Sequence, residues 1–307
     1  MFLLNLGRIF GRAPPPAPAE PSPAERTAVK PAPAAPKRRA SRHRRHAAPP
    51  TEPWSDGRIA VSNRLWGTGF TLPGGEPEII RLTKPTGATG DNRLLLLGVG
   101  SGAAALAIQR NTQTWLTALE SDPHLLAAAR ALVTAARLGK RVVVDAWDPV
   151  QPKFTPAGHK NCLAIEPMRQ AGCGTILPAL IGAIGPGGNL IVTDIASMEP
   201  MPPGDPLITR WAALEHRKIN TIPTPQAVAA VLQAHRMDLR IAEDISQRHI
   251  DQVMLGWREL VAAMAENKPP PDEAAYVVSE AELWLLRRKL IETGRLRMMR
   301  WHAIKPA

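Results

Sequence analysis

Four acidic residues stand at the ends of predicted strands: Glu120 after Trp115–Leu119, Asp145 after Arg141–Val144, Glu166 after Asn161–Ile165 and Asp194 after Asn189–Thr193. A carboxylate in such a place accepts hydrogen bonds from hydroxyls and amines, and in a partly dry cleft its charge strengthens them. A fifth feature is Gly98-Val99-Gly100-Ser101-Gly102. It follows four consecutive leucines, Leu94–Leu97, and opens into the Ala-rich segment Ala103–Asn111. Glycine has no Cβ, so backbone there can approach a ligand closely. In open parallel sheets that approach happens at the carboxyl ends of the strands. The set suits a nucleotide-like ligand whose hydroxyls and amines meet acids.

The elements that must position these residues alternate. The leucine run reads as a buried strand with its helix behind it. Trp115–Leu119 is a second strand, and Asp122-Pro123 starts a helix that reaches about Leu138, Asp122 as cap and Pro123 in the first turn. Arg141–Val144 and Asn161–Ile165 are the third and fourth strands. A helix near Thr175–Ile184 stops at Gly185-Pro186-Gly187-Gly188, before the fifth strand, Asn189–Thr193. Strand and helix in alternation predict a parallel sheet covered on both faces. Thr224-Pro225 starts a helix to about Arg236, and Asp238–Ile245 is strand-like. Gln247–Ala265 and Ser279–Thr293 read as helices, the second with a capping box of Ser279 and Glu282. Arg295–Ile304 is the last strand. The final two strands are expected to pair antiparallel at one sheet edge.

Composition divides the 307 residues in two. Residues 1–53 hold 12 prolines and ten Lys/Arg against three Glu. Such a stretch has too little apolar surface to offset its ordering entropy and is expected to be disordered. Its start, Met1–Arg12, is too short to span a membrane but could lie on a membrane surface. The run Lys37–His46 suits any polyanion and no specific nucleic acid. Residues 54–307 suit one large α/β domain. Cys162 and Cys173 alone make neither a disulfide framework nor a metal site, which points to a cytoplasmic protein, peripheral at a membrane if the tail attaches it.

The glycine turn fits two ligands. It satisfies G-x-G-x-x-G/A through Gly98, Gly100 and Ala103, with Glu120 at the distance for a ribose contact, which would suit NAD. It also reads G-x-G-x-G. The third strand ends in Asp145-Ala146-Trp147, and a Gly-Pro-Gly-Gly turn precedes the strand ending at Asp194. With Arg64–Gly75 before the first strand, and Ala242-Glu243-Asp244-Ile245-Ser246 late in the chain, residues 64 to 304 resemble the Rossmann-like S-adenosylmethionine-dependent methyltransferases. The similarity is greatest to members acting on phosphoethanolamine, sterols and quinone precursors. The resemblance implies a doubly wound, mostly parallel seven-stranded sheet with a helical insertion before the last strand. It implies S-adenosylmethionine as cofactor, with Gly98, Val99, Gly100 and Gly102 under its methionine part, Glu120 and Ser121 at the ribose, and Asp145 with Ala146 at the adenine. The chain departs from the family at Leu96, where members carry an acid that organises the amino-acid end of the donor.

The expected activity is methyl transfer to a small-molecule or lipid-like acceptor. Such a reaction needs alignment and exclusion of water, and a base only where the acceptor is protonated. Glu166 is the expected acceptor-side residue. His159, His216 and His249 are expected to be solvated, Trp66 and Phe70 to pack in the core or on the ligand. Three rivals are an NAD-dependent oxidoreductase, a non-catalytic binding or scaffold protein of the same fold, and an RNA methyltransferase using the basic tail.

Overall fold

Leu94–Leu97 are each at most 1% exposed, because their strand runs through the middle of a sheet covered on both faces. The computed structural model describes residues 52–199, 201 and 204–307. The expectations for the tail fall outside the described residues, save at Glu52 and Pro53. The strands are β1 (Arg93–Leu97), β2 (Trp115–Glu120), β3 (Val142–Ala146), β4 (His159–Ile165), β5 (Ile184–Ala196), β6 (Asp238–Asp244) and β7 (Arg297–Ile304). Their order in the sheet is β3-β2-β1-β4-β5-β7-β6. The first five pair in parallel, and β7 lies antiparallel between β5 and β6. The expected antiparallel pair therefore forms at that edge.

The helices are α1 (Asp56–Trp66), α2 (Gly75–Thr83), α3 (Ala103–Thr112), α4 (Pro123–Ala135), α5 (Cys173–Ala183), α6 (Pro206–Glu215), α7 (Pro225–Ala234), α8 (Ser246–Glu266) and α9 (Pro271–Glu292). Period-two alternation divides the leucine run between two cores. Leu95 and Leu97 pack with Cys162 and Ala164 against Ile176 and Leu180 of α5 and Val228 of α7. Leu94 and Leu96 pack against Ile79 and Leu82 of α2 and Ala104 and Ile108 of α3. Each buried leucine contributes roughly 1.5–3 kcal/mol.

Cap chemistry fixes where the helices begin. Asp122 Oδ1 accepts from His124 N at 2.9 Å and Leu125 N at 3.1 Å, and Thr224 Oγ1 from Ala227 N at 3.1 Å. Asp205 does the same for α6, a helix the sequence reading lacks, as it lacks α1 and α2. The capping box expected at Ser279 and Glu282 does not form. The helix begins eight residues earlier, at Pro271, and Glu282 lies inside it, paired with Arg210 of α6 at 2.7 Å. The Gly185–Gly188 turn is absorbed into β5 as an irregularity opposite His159 and Asn161.

Four helices, α1, α6, α8 and α9, gather beyond the carboxyl ends of the central strands. Val61, Leu65 and Trp66 of α1 pack with Trp257 and Leu260 of α8, Leu283 and Trp284 of α9, and Leu214 of α6. Among the described residues no helix is long and apolar enough to cross a membrane.

Candidate functional site

Between this helical layer and the strand ends lies a cavity of about 810 Å³, within the roughly 300–1,000 Å³ typical of small-molecule sites. Gly98, Gly100, Glu120 and Ser121 line one half. The glycines have φ of 73° and 61°, and a Cβ at either would collide, with the Ile165 carbonyl at Gly98 and the Thr71 hydroxyl at Gly100. The turn thus needs glycine at both positions.

Glu120, 6% exposed, is fixed by three backbone donors. Gly100 N donates at 2.9 Å, Ser121 N at 2.8 Å and Asp122 N at 3.2 Å. Burial pushes its carboxyl above the ordinary carboxylate range, against the opposing pull of those N–H groups. A carboxylate held rigidly at a cavity wall, with lone pairs still open, is suited to a ligand's vicinal hydroxyls.

Other expected contacts are not brought to this wall. Val99 is 1% exposed and packs in the core. Gly102, φ 105°, sits at the start of α3, where a Cβ would press on Ala129 of α4. Asp145 lies on the edge strand with a 65% exposed side chain, in an ion pair with Arg130 at 2.9 Å. It does not line the cavity, and neither does Ala146, whose N–H donates to Asp145. An edge strand leaves one flank to solvent, which a strand-end position alone does not reveal. Trp147, two residues on, does line the cavity, and its Nε1 is buried without a hydrogen-bond partner. Leu96 is 0% exposed and presents no polar group.

The other half of the cavity is built on ion pairs. Glu166 follows β4 with a left-handed backbone, φ 45°. Its carboxylate meets Arg287 of α9 at 2.6 Å, Arg169 at 2.7 Å and Arg217 at 3.3 Å. Arg217 also meets Asp194 at 2.8 Å, and Arg287 meets Glu215 at 2.7 Å. Asp194 accepts from Met168 N and Ile195 N, both at 2.7 Å, which ties the floor to β5. Burial would raise the Glu166 carboxyl, but Arg287, Arg169 and Arg217 hold it well below the ordinary range. A carboxylate so held is a poor proton acceptor, so Glu166 organises this wall as an ion-pair hub. Its partners lie 121 and 51 residues away for Arg287 and Arg217, beyond any spacing argument.

The histidines are not solvated as expected. His159 lies in β4, 8% exposed, with Nε2 3.0 Å from Thr117 Oγ1. His216 lines the cavity at the end of α6 with φ 51°. Its carbonyl accepts from the Gln170 amide, and its Nε2 is buried without a partner. Burial first, then Arg58 and Arg169, lower its pKa, with Asp122 opposing, so the ring is neutral at pH 7. His249, 6% exposed, is pushed down to about 3 by burial, then Arg287, with Glu166 opposing and Arg248 adding. The unfolded ring takes a proton near 6.5, the folded one does not until about 3. Stability is therefore intact above pH 6.5 and falls as pH drops, by about 2 kcal/mol at pH 5 at roughly 1.4 kcal/mol per unit. In urea unfolding at pH 7 and pH 5, His249→Gln is expected to lose less stability between the two than the parent. Equal losses would contradict this assignment.

Trp66 lines the cavity at 7% exposure and packs edge-on to Trp284, centroids 5.1 Å apart. Phe70 packs against the same apolar layer, and Tyr276 lies against Gly57 of α1. Among the described residues no group of three or more His, Cys, Asp or Glu could hold a metal ion.

No protein-family model matches the sequence, and no curated protein sequence does. Solved structures do match. Phosphoethanolamine N-methyltransferase 2 of Haemonchus contortus, solved with phosphomonomethylethanolamine and S-adenosylhomocysteine, aligns with a TM-score of 0.71 at 17% identity over 83% of this chain and 59% of that one. The same enzyme with S-adenosyl-L-methionine aligns over 57% of its length, so the chain spans under two thirds of these relatives. Geranyl diphosphate C-methyltransferase of Streptomyces coelicolor gives a TM-score of 0.57 at 12% identity, over 75% of this chain and 77% of that one. The cyclase SpnF gives 0.63 at 19% identity, over 84% and 98%. The mixed seven-stranded sheet, with its glycine turn after β1 and acid at the end of β2, is the fold of the Rossmann-like S-adenosylmethionine-dependent methyltransferases.

Proposed function

We propose that the cavity binds S-adenosylmethionine and that the chain transfers its methyl group to a small-molecule acceptor. The observation that carries this reading is Glu120, a buried carboxylate held by Gly100, Ser121 and Asp122 N–H groups at the wall of a cavity large enough for both partners. When bound, the donor supplies an electrophilic methyl group on a sulfonium.

The residues present fit the donor in its nucleoside half. Glu120 accepts from the ribose hydroxyls, Gly98 and Gly100 give close backbone approach, and the Trp147 ring lines the same cavity. In the other half, Trp66 and Trp284 exclude water and the Glu166 hub fixes the wall on which an acceptor is oriented. Orientation of this kind supplies most of what such a transfer needs. His216 is the neutral, unpaired base at this end and takes the proton of an acceptor hydroxyl or ammonium. The Glu166, Glu215 and Glu280 carboxylates are already in ion pairs with arginine.

The test is transfer of label from methyl-tritiated S-adenosylmethionine to a fractionated small-metabolite extract. Label in a discrete small-molecule fraction, reduced by His216→Asn, is the expected result. Bound donor with no label in any fraction would favour the second reading, a non-methylating protein of this fold. SpnF, one of the structures similar to this chain, is a cyclase.

A further inference from the structure

The two halves of the donor site are not equally equipped. Six carboxylates among the described residues line the cavity: Glu52, Glu120, Asp122, Glu166, Glu215 and Glu280. Glu120 sits at the β2 end, where the ribose is placed. Asp122 Oδ1 caps α4. Glu166 and Glu215 are shared among Arg169, Arg217 and Arg287. Glu280 lies between Arg58 Nε and Trp284 Nε1. Glu52 is at the rim, its side chain 64% exposed, paired with His124 at 3.3 Å. Beside Gly98, at the end of β1, the inward side chain is Leu96, sealed among Ile79, Leu82 and Leu163.

The arginines that line the cavity are engaged to the same degree, while Lys218, also in its lining, is exposed. Arg58, Arg169, Arg217 and Arg287 each already meet a carboxylate. A zwitterionic amino-acid tail entering this space would have to break an existing pair or leave its ammonium and carboxylate poorly compensated out of water. The nucleoside half meets the opposite situation. Glu120 is preorganised by three backbone donors at the cavity wall, with lone pairs to give.

From this imbalance we infer that the site selects 5′-thioadenosines by their nucleoside and takes little affinity from the amino-acid tail. The inference rests on the donor reading above and narrows it. Nucleosides that carry a 5′-thioether but no amino acid compete for the cavity nearly as well as the full-length product. The chain is then open to inhibition by that class of nucleoside, whatever acceptor it methylates.

The experiment is calorimetric titration of the full chain with S-adenosylhomocysteine and, separately, with 5′-methylthioadenosine. The inference expects dissociation constants within tenfold of each other. Weaker binding of 5′-methylthioadenosine by more than tenfold overturns it while leaving the donor reading standing, because S-adenosylhomocysteine has then bound. Failure of both ligands to bind a chain that still unfolds cooperatively overturns the donor reading and the inference together.

Discussion

Replacing Arg287 by Met is expected to lower the unfolding free energy by about 3–5 kcal/mol. The side chain is 1% exposed and its guanidinium joins Glu166 at 2.6 Å to Glu215 at 2.7 Å. Removal leaves Glu215 with only Arg217 Nε at 3.6 Å, a buried charge short of compensation. The cost comes from that stranded carboxylate more than from lost attraction, so adding Glu215→Gln should recover part of it. The neighbouring Arg288 provides the contrast. It pairs with Glu292 one turn along the same helix, and the Glu292 side chain is 49% exposed. Arg288→Met should therefore change stability by no more than about 0.5 kcal/mol. Denaturant unfolding of the two single variants and the double variant checks all three values. A loss under 1 kcal/mol for Arg287→Met would show that the hub is dispensable.

Glu120→Gln is expected to weaken S-adenosylhomocysteine binding at least about a hundredfold. Hydrogen bonds to a charged acceptor contribute about 1.5–3 kcal/mol each, two ribose hydroxyls are at stake, and about 1.4 kcal/mol is a tenfold change. The amide also turns one acceptor into a donor, facing the Gly100, Ser121 and Asp122 N–H groups that now point at the carboxylate. The pH dependence carries the same sign. Burial raises the Glu120 carboxyl, so affinity is expected to fall on acidification at a higher pH than an ordinary glutamate would require. Titration of the parent and the variant across pH checks both. An unchanged dissociation constant in Glu120→Gln would remove Glu120 from the site.

Where local chemistry decides structure, the sequence is readable. The buried leucine strand, the caps at Asp122 and Thr224 and the late antiparallel pair follow from propensity and spacing. α6 begins at Asp205-Pro206 by the same cap-then-proline signal as α4, so its start is encoded locally too. α9 reaches back through Pro271 because a proline fits a first helical turn, which a capping box eight residues later obscured. The site divides in the same way. Gly98, Gly100, Glu120 and Ser121 come together because one loop and one strand end position them. Asp145 does not join them, since edge exposure and the pull of Arg130 depend on which strand is outermost. The arginines around Glu166 and the place of His216 depend on how α6 and α9 close over the sheet, and no local pattern encodes that closure.

The proposed donor site is the cavity at the carboxyl ends of β1 and β2. Calorimetric titration of the full chain with S-adenosylmethionine, run beside NADH, tests it most directly. The expected result is saturable micromolar binding of S-adenosylmethionine, lost in Glu120→Gln, with no heat from NADH. A folded chain that ignores S-adenosylmethionine, or that takes up NADH instead, would contradict it.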